Sequence, residues 1–260
     1  MASTVALAVR DGVAHLTLDR PDAANAIDLE LATDLLDASL TIAADRAVRA
    51  VLFTGAGARF CGGGDLKAFA GRDDLPRHLH EVLVPLHAAI ANLVRGDPPV
   101  VAAVQGSAAG AGIGLMCAAD LVLAGASAKF VMAYTGVGLT PDGSSSWFLP
   151  RLIGLRRAVE LTLTNRVLSA EEAREWGLVT RVVPDDELAA EASALAEQLA
   201  AGATRSLGEA KRLLHASLES SFEAHLAREA DAIAAASGRA DGVEGMAAFV
   251  EKRPAVFRGE

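Results

Sequence analysis

The sequence predicts a mixed α/β fold that ends in a run of helices. Three observations lead there. Short apolar runs rich in Val, Ala and Leu alternate with stretches of helical periodicity. Two glycine-rich turns, Phe60-Cys61-Gly62-Gly63-Gly64-Asp65 and Gly106-Ser107-Ala108-Ala109-Gly110-Ala111-Gly112, each follow one of those runs. Beyond Pro184 only helical patterns remain. At 260 residues the chain can bury one sizeable core, within the range of a single α/β domain.

The elements follow in order. Ala6 to Arg10 and Val13 to Asp19 alternate around Asp11-Gly12, a hairpin signal because both turn residues tolerate positive φ. A helix is expected after Asp28, whose carboxylate can cap it, with Leu29, Ala32, Leu35, Leu36, Leu40 and Ala43 on one face. There follow a strand at Val48 to Thr54, a helix over about Leu75 to Arg95 and a strand at Val100 to Val104. A small-residue helix near Ala108 to Ala119 and a short strand at Leu121 to Ala124 complete the rhythm. The end reads as helices over Glu187 to Ala201, Thr204 to Leu218, Phe222 to Ala236 and Gly242 to Glu251, with breaks at Gly202 and Gly238.

Composition excludes several function classes. A net charge of −9 argues against non-specific nucleic-acid binding, which needs a basic face. Cys61 and Cys117 lack metal-ligand spacing and form no disulfide framework, so no metal site is expected and a reducing cytoplasm is the default compartment. There is no signal-peptide pattern and no run of eighteen apolar residues, so neither secretion by that route nor a membrane span is expected. The Gly110-x-Gly112 pair has Leu115 where a dinucleotide fingerprint has its third glycine, and Gly143-Ser144-Ser145-Ser146-Trp147 lacks the second glycine of a nucleophile elbow.

A strand, a tight glycine turn and a helix start present unpaired backbone N–H groups in a fixed direction, which suits an anionic oxygen. Two such turns can converge on one atom, although each alone also serves packing. In these residues the chain resembles the crotonase (enoyl-CoA hydratase/isomerase) superfamily. Phe60 to Lys67 resembles its first signature and Val104 to Asp120 its second. The likeness extends over Leu18 to Pro21 with Asn25-Ala26, Pro98 to Val100, Gly136 to Arg151, Ser169 to Ala173 with Gly177 to Val179, and Glu244 to Phe249.

The resemblance implies a spiral of ββα units over residues 1–200 holding an acyl-CoA site. Residues 201–260 would form a helical region that covers the site and builds a homotrimer or a hexamer. It also implies that the Gly64 and Ala111 N–H groups bind the thioester oxygen of an acyl-CoA, with coenzyme A arriving as part of the substrate and no separate cofactor. Ala111 stands where the family has Gly, a mild departure because only the backbone is used. Ala23, Ala24 and Ala26 would line the adenine and pantetheine path. Lys67, Phe249 and Lys252 would meet the nucleotide, the last two from a neighbouring subunit in one arrangement; both lysines also read as ordinary solvated residues.

Hydratases of the family hold water with two glutamates, and the matching positions here are Gly114 and Tyr134, neither a carboxylate. Asp142, in Gly138-Leu139-Thr140-Pro141-Asp142-Gly143-Ser144 ahead of Trp147, matches a position where double-bond isomerases carry a single acid. As a plain Pro-Asp-Gly turn it also reads as structural. The expected activity is isomerisation of a 3-enoyl-CoA, or a related ring-type acyl-CoA, to the 2-enoyl form. Alternatives are a hydratase-like lyase of fatty-acid metabolism, a non-catalytic acyl-CoA-binding protein, and a halobenzoyl-CoA dehalogenase-like hydrolase. The last would use Asp142 with His87, although Tyr134 stands where that branch has Trp. His87, at helical spacing from Leu83 and Ile90, also reads as an ordinary helix residue, and His78 and His80 read as solvated.

Overall fold

The computed structural model describes residues 3–260. Strands β1 (Val5–Arg10) and β2 (Val13–Leu18) form the expected hairpin, and Asp11 and Gly12 both take positive φ in its turn. Asp28 caps helix α1 (Leu29–Ala44) by accepting from Leu31 N at 2.9 Å. Strand β3 (Ala50–Gly55) lies parallel to β2. It starts two residues later than the apolar run, because Val48 N–H closes a turn onto Asp45 O. The chain then forms α2 (Leu66–Phe69), α3 (Leu75–Arg95) and β4 (Val100–Val104), followed by β5 (Ser107–Ala109) and α4 (Ala111–Cys117). Next come β6 (Leu121–Gly125), β7 (Lys129–Val131), α5 (Ser145–Ile153), α6 (Leu155–Thr164), β8 (Leu168–Ser169), α7 (Ala170–Trp176) and β9 (Arg181–Val183). Helices α8 (Leu188–Ala200), α9 (Thr204–Ser217), α10 (Phe222–Ser237) and α11 (Ala240–Glu251) close the chain, each within two residues of its sequence expectation.

The larger sheet has the order β1-β2-β3-β4-β6-β9, parallel from β2 onward. Both of its faces are covered. Val51, Phe53, Val100, Ala102 and Val104 point into the main core, while Ala50, Leu52, Val101, Ala103 and Leu123 pack toward α8 through Leu188, Ala192, Leu195 and Ala196. This is why the strands read as unbroken apolar runs rather than alternating ones.

A second ladder runs beside the first. Cys61 bridges Ala108, β5 pairs with β7, and β7 pairs with β8. Each circuit of the chain thus adds a strand to the large sheet and then a short segment to the small one, the expected spiral. The small-residue stretch from Ala108 is therefore not one helix. Its first residues pair as β5, Gly110 breaks the chain at φ +51, and only α4 is helical.

The helical end is bound to the body by buried polar contacts. Lys211 Nζ donates to Leu93 O, Pro98 O and Asp120 Oδ2 at 3.1–3.2 Å. The Arg49 guanidinium reaches Gly202 O, Thr204 Oγ1 and Phe257 O. Within that end, buried Asp241 fixes the last residues by accepting from the backbone N–H groups of Arg258, Gly259 and Glu260 at 2.6–3.1 Å. Among the described residues no helix is long and apolar enough to cross a membrane.

Candidate active site

The first glycine turn is fixed by a buried amide. Asn25, fully buried, donates through Nδ2 to Ala56 O, Arg59 O and Phe60 O at 2.8–3.1 Å and accepts from Arg20 N at 2.9 Å. Arg20 pairs with Asp28 and Asp65 at 3.0 and 3.1 Å. Asp65 in turn caps α2 through Ala68 N, the turn-stabilising part expected of it. Gly62 N donates to Ala24 O, Ile27 N to Gly63 O and Asp65 N to Ile27 O. Among the described residues, Gly64 N–H has no partner within the chain.

The second turn meets the first directly. Ala109 N donates to Cys61 O at 3.0 Å, and Gly110 N to Val131 O at 3.0 Å. Gly63 has φ +94, and a Cβ there would stand 2.8 Å from Ala109 O and 3.6 Å from Ala111 N, so only glycine permits this approach. Ala111 is the first residue of α4, where helical geometry leaves the N–H without an i−4 partner. Two free N–H donors from separate turns therefore border one space.

That space is a cavity of about 220 Å³. Gly64, Ala111, Tyr134 and Asp142 all line it, together with Leu79, Val82, Leu83 and Leu86 from one face of α3, and Phe69 from α2. The Tyr134 hydroxyl donates to Asp142 Oδ1. Burial and the adjacent Asp142 charge push the Tyr134 phenol well above its ordinary value, so it remains a donor. Asp142 is the one carboxylate among the lining residues. The arrangement offers a proton acceptor, a hydrogen bond to hold it, two donors for a developing oxyanion and an otherwise apolar wall.

The turn that carries Asp142 has Gly143 at φ +55 and Ser144 at φ +67. Gly114 lies against it, since a Cβ there would stand 2.1 Å from Gly143 O. The position that matches a hydratase glutamate is thus filled by backbone and has no room for a side chain. His87 and Trp147 do not line the cavity with Asp142. They border a separate space of about 550 Å³ on the far side of the turn, with His215 and Phe148, and Gly143 N–H donates to His87 Nε2 at 3.3 Å. The expectation of a solvated His78 is corrected: it is only 6 % exposed and packs edge-on to Phe69, while His80 is exposed. The spacing 78, 82, 86 is helical, and it places His78 on the same inward face as Val82 and Leu86.

Of the residues expected to meet coenzyme A, Ala24 contacts the first turn through its carbonyl, and Ala23 and Ala26 flank it in the half-buried segment after Pro21. Lys67, Phe249 and Lys252 are exposed and do not line the cavity of their own chain. Sequence reasoning missed Phe69, Leu79 and Val137 as cavity wall.

The family model for enoyl-CoA hydratase/isomerase matches residues 8–260. The chain belongs to the enoyl-CoA hydratase/isomerase family. Within it, the chain is 38 % identical to the 1,2-epoxyphenylacetyl-CoA isomerase of Escherichia coli K12, covering 97 % of each. It is 35 % identical to the 4-chlorobenzoyl coenzyme A dehalogenase-2 of an Arthrobacter species, over 93 % of this chain and 88 % of that one. The crystal structure of an enoyl-CoA hydratase from Polaromonas sp. JS666 superposes with a TM-score of 0.92 at 34 % identity, covering 97 % and 99 % of the two chains. The enoyl-CoA hydratase/isomerase family thus contains relatives of three named chemistries at comparable similarity.

Proposed function

We propose that the protein is an acyl-CoA isomerase that moves a double bond from C3=C4 to C2=C3 with Asp142 as the only proton carrier. A free Asp142 oxygen takes the proton from C2, and the electron pair passes into a dienolate whose charge rests on the thioester oxygen. Gly64 and Ala111 N–H would hold that oxygen. Asp142 then returns the proton to C4, so that neither water nor a further reactant is consumed. The single observation that carries this reading is one carboxylate sharing an apolar cavity with two free N–H donors, while the Gly114 position is closed. A dry, preorganised pair of donors of this kind is worth roughly 10²–10³ in rate per donor.

The wall supplied by Phe69, Leu79, Val82, Leu83 and Leu86 favours a hydrocarbon acyl group, linear or cyclic, without charged substituents. Coenzyme A would run past Ala23, Ala24 and Ala26. Phe249, 85 % exposed, with Val250, Met246 and Lys252 on the same terminal helix and its end, would be covered by a neighbouring copy in a trimer or hexamer. The buried free thiols fit a cytoplasmic enzyme. His87, behind the turn, weighs against a dehalogenase in which it would act on a group in the cavity.

The test is incubation of purified protein with 3-enoyl, 2-enoyl and halobenzoyl thioesters in D₂O, followed by mass spectrometry. The expected result is conversion of 3-enoyl to 2-enoyl thioester with the C2 hydrogen carried to C4 and little deuterium taken up from solvent, and very weak hydration of crotonyl-CoA. Rapid water addition, on the order of 10³ s⁻¹ at the upper range of ordinary enzymes, would overturn it.

A further inference from the structure

His87 is exposed to the second space, yet its Nε2 is the one acceptor among the described residues for the N–H of buried Gly143. The peptide unit between Asp142 and Gly143 is held from both sides. Its carbonyl, Asp142 O, accepts from Ser145 N at 3.0 Å and Ser145 Oγ at 2.7 Å. Its N–H is taken by the imidazole. This plane follows Asp142 Cα directly, so its tilt sets the direction in which the Asp142 side chain leaves the backbone. The next two residues are both left-handed, and Ser144 is a non-glycine residue in that region, where its Cβ is crowded against the backbone. A turn of this kind persists only where its surroundings over-determine it.

We infer that His87 is a positioning residue: from outside the cavity it holds the Asp142–Gly143 peptide plane and thereby aims the Asp142 carboxylate at the reacting carbons. The inference rests on the isomerase reading above. A neutral imidazole with its proton on Nδ1 supplies the acceptor; no proton moves between His87 and substrate. Without it, Gly143 N–H must find water through the second space, and the turn gains freedom to rotate.

The experiment compares wild type, His87→Gln and His87→Leu by hydrogen exchange of the Gly143 amide and by steady-state isomerisation of a 3-enoyl-CoA. A glutamine amide oxygen reaches the place of Nε2; leucine offers no acceptor. In His87→Leu, Gly143 exchange is expected to rise by about tenfold and kcat to fall by roughly 10- to 100-fold, the scale of an ångström-sized misplacement, with KM within about twofold. His87→Gln is expected to recover most of both. Should His87→Leu fail to fold, His87→Ala takes its place. Equal Gly143 exchange in all three proteins overturns the positioning role. So does faster exchange with unchanged kcat, and so does a glutamine variant as slow as leucine despite a protected Gly143 amide, which would make the imidazole a chemical participant. A wild type whose Gly143 amide depends on His87 but which turns over no 3-enoyl thioester fails the isomerase reading instead.

Discussion

The Tyr134 hydroxyl donates its hydrogen bond to Oδ1 of Asp142, eight residues further on, inside the apolar cavity. One carboxylate oxygen is thereby held by the protein, leaving the other for the substrate. Asp142→Asn is expected to lower kcat for isomerisation by roughly 10²–10⁴, the usual worth of a general base, with little change in binding. Tyr134→Phe is expected to lower kcat by about tenfold, the lower end for a hydrogen bond to a charged group. Because the phenol is held above its ordinary value of 10, kcat should show no alkaline limb near that pH that disappears in Tyr134→Phe. Steady-state pH profiles of the three proteins decide both points.

Ala111→Pro tests the second donor with little damage to the helix. The first position of a helix accepts proline because its N–H has no intrahelical partner. Helicity by circular dichroism should be retained while kcat falls roughly 10²–10³. Normal turnover in a folded variant would make this turn purely structural.

Glu244 links pH to the stability of the C-terminal end. Hydrogen bonds from Arg253 and from Val256 N–H hold its carboxyl at about 2, below its ordinary 4.5. A depressed pKa stabilises the folded state above the unfolded value, and that contribution is lost as pH falls through the folded one. Glu244→Gln should therefore lower the thermal midpoint at pH 7, and the gap to wild type should close as pH drops from 4.5 toward 2. A gap independent of pH would mean that the contact acts through shape alone.

Burial pushes the thiols of Cys61 and Cys117 up to about 12. Neither should react with a disulfide reagent at pH 8 in the native protein, and both should react after denaturation. Stoichiometric labelling of native protein would show that the Cys61 turn opens.

The reach of sequence reasoning can be seen in particular residues. The two glycine turns were legible because a glycine cluster behind an apolar run leaves a mark in a short pattern, whereas Asp142 came from the family resemblance, its Pro-Asp-Gly pattern alone being that of an ordinary turn. The cavity wall was not, since Leu79, Val82, Leu83 and Leu86 share the periodicity of any buried helix face. His78 was misread because the acidic and basic residues around it conceal one inward position. The side of the turn on which His87 falls depends on two positive φ angles, at Gly143 and Ser144, and the second could not be anticipated for a serine. The small-residue stretch at Ala108 looked helical because alanine favours helices, yet its backbone groups are claimed by Cys61 and β7.

The approach of Gly114 to the Gly143 carbonyl also bears on how such a site can change its chemistry over evolutionary time. Installing a glutamate at 114 by a single substitution would drive a side chain into main chain that cannot yield, so the first step toward water addition would cost folding before it gained a function. A lineage would have to reshape the 142–144 turn first, and that same change would misdirect Asp142. The proposed isomerisation and water addition would therefore be separated by a valley rather than by one mutation, and directed evolution toward hydration would have to vary 114 and the turn together.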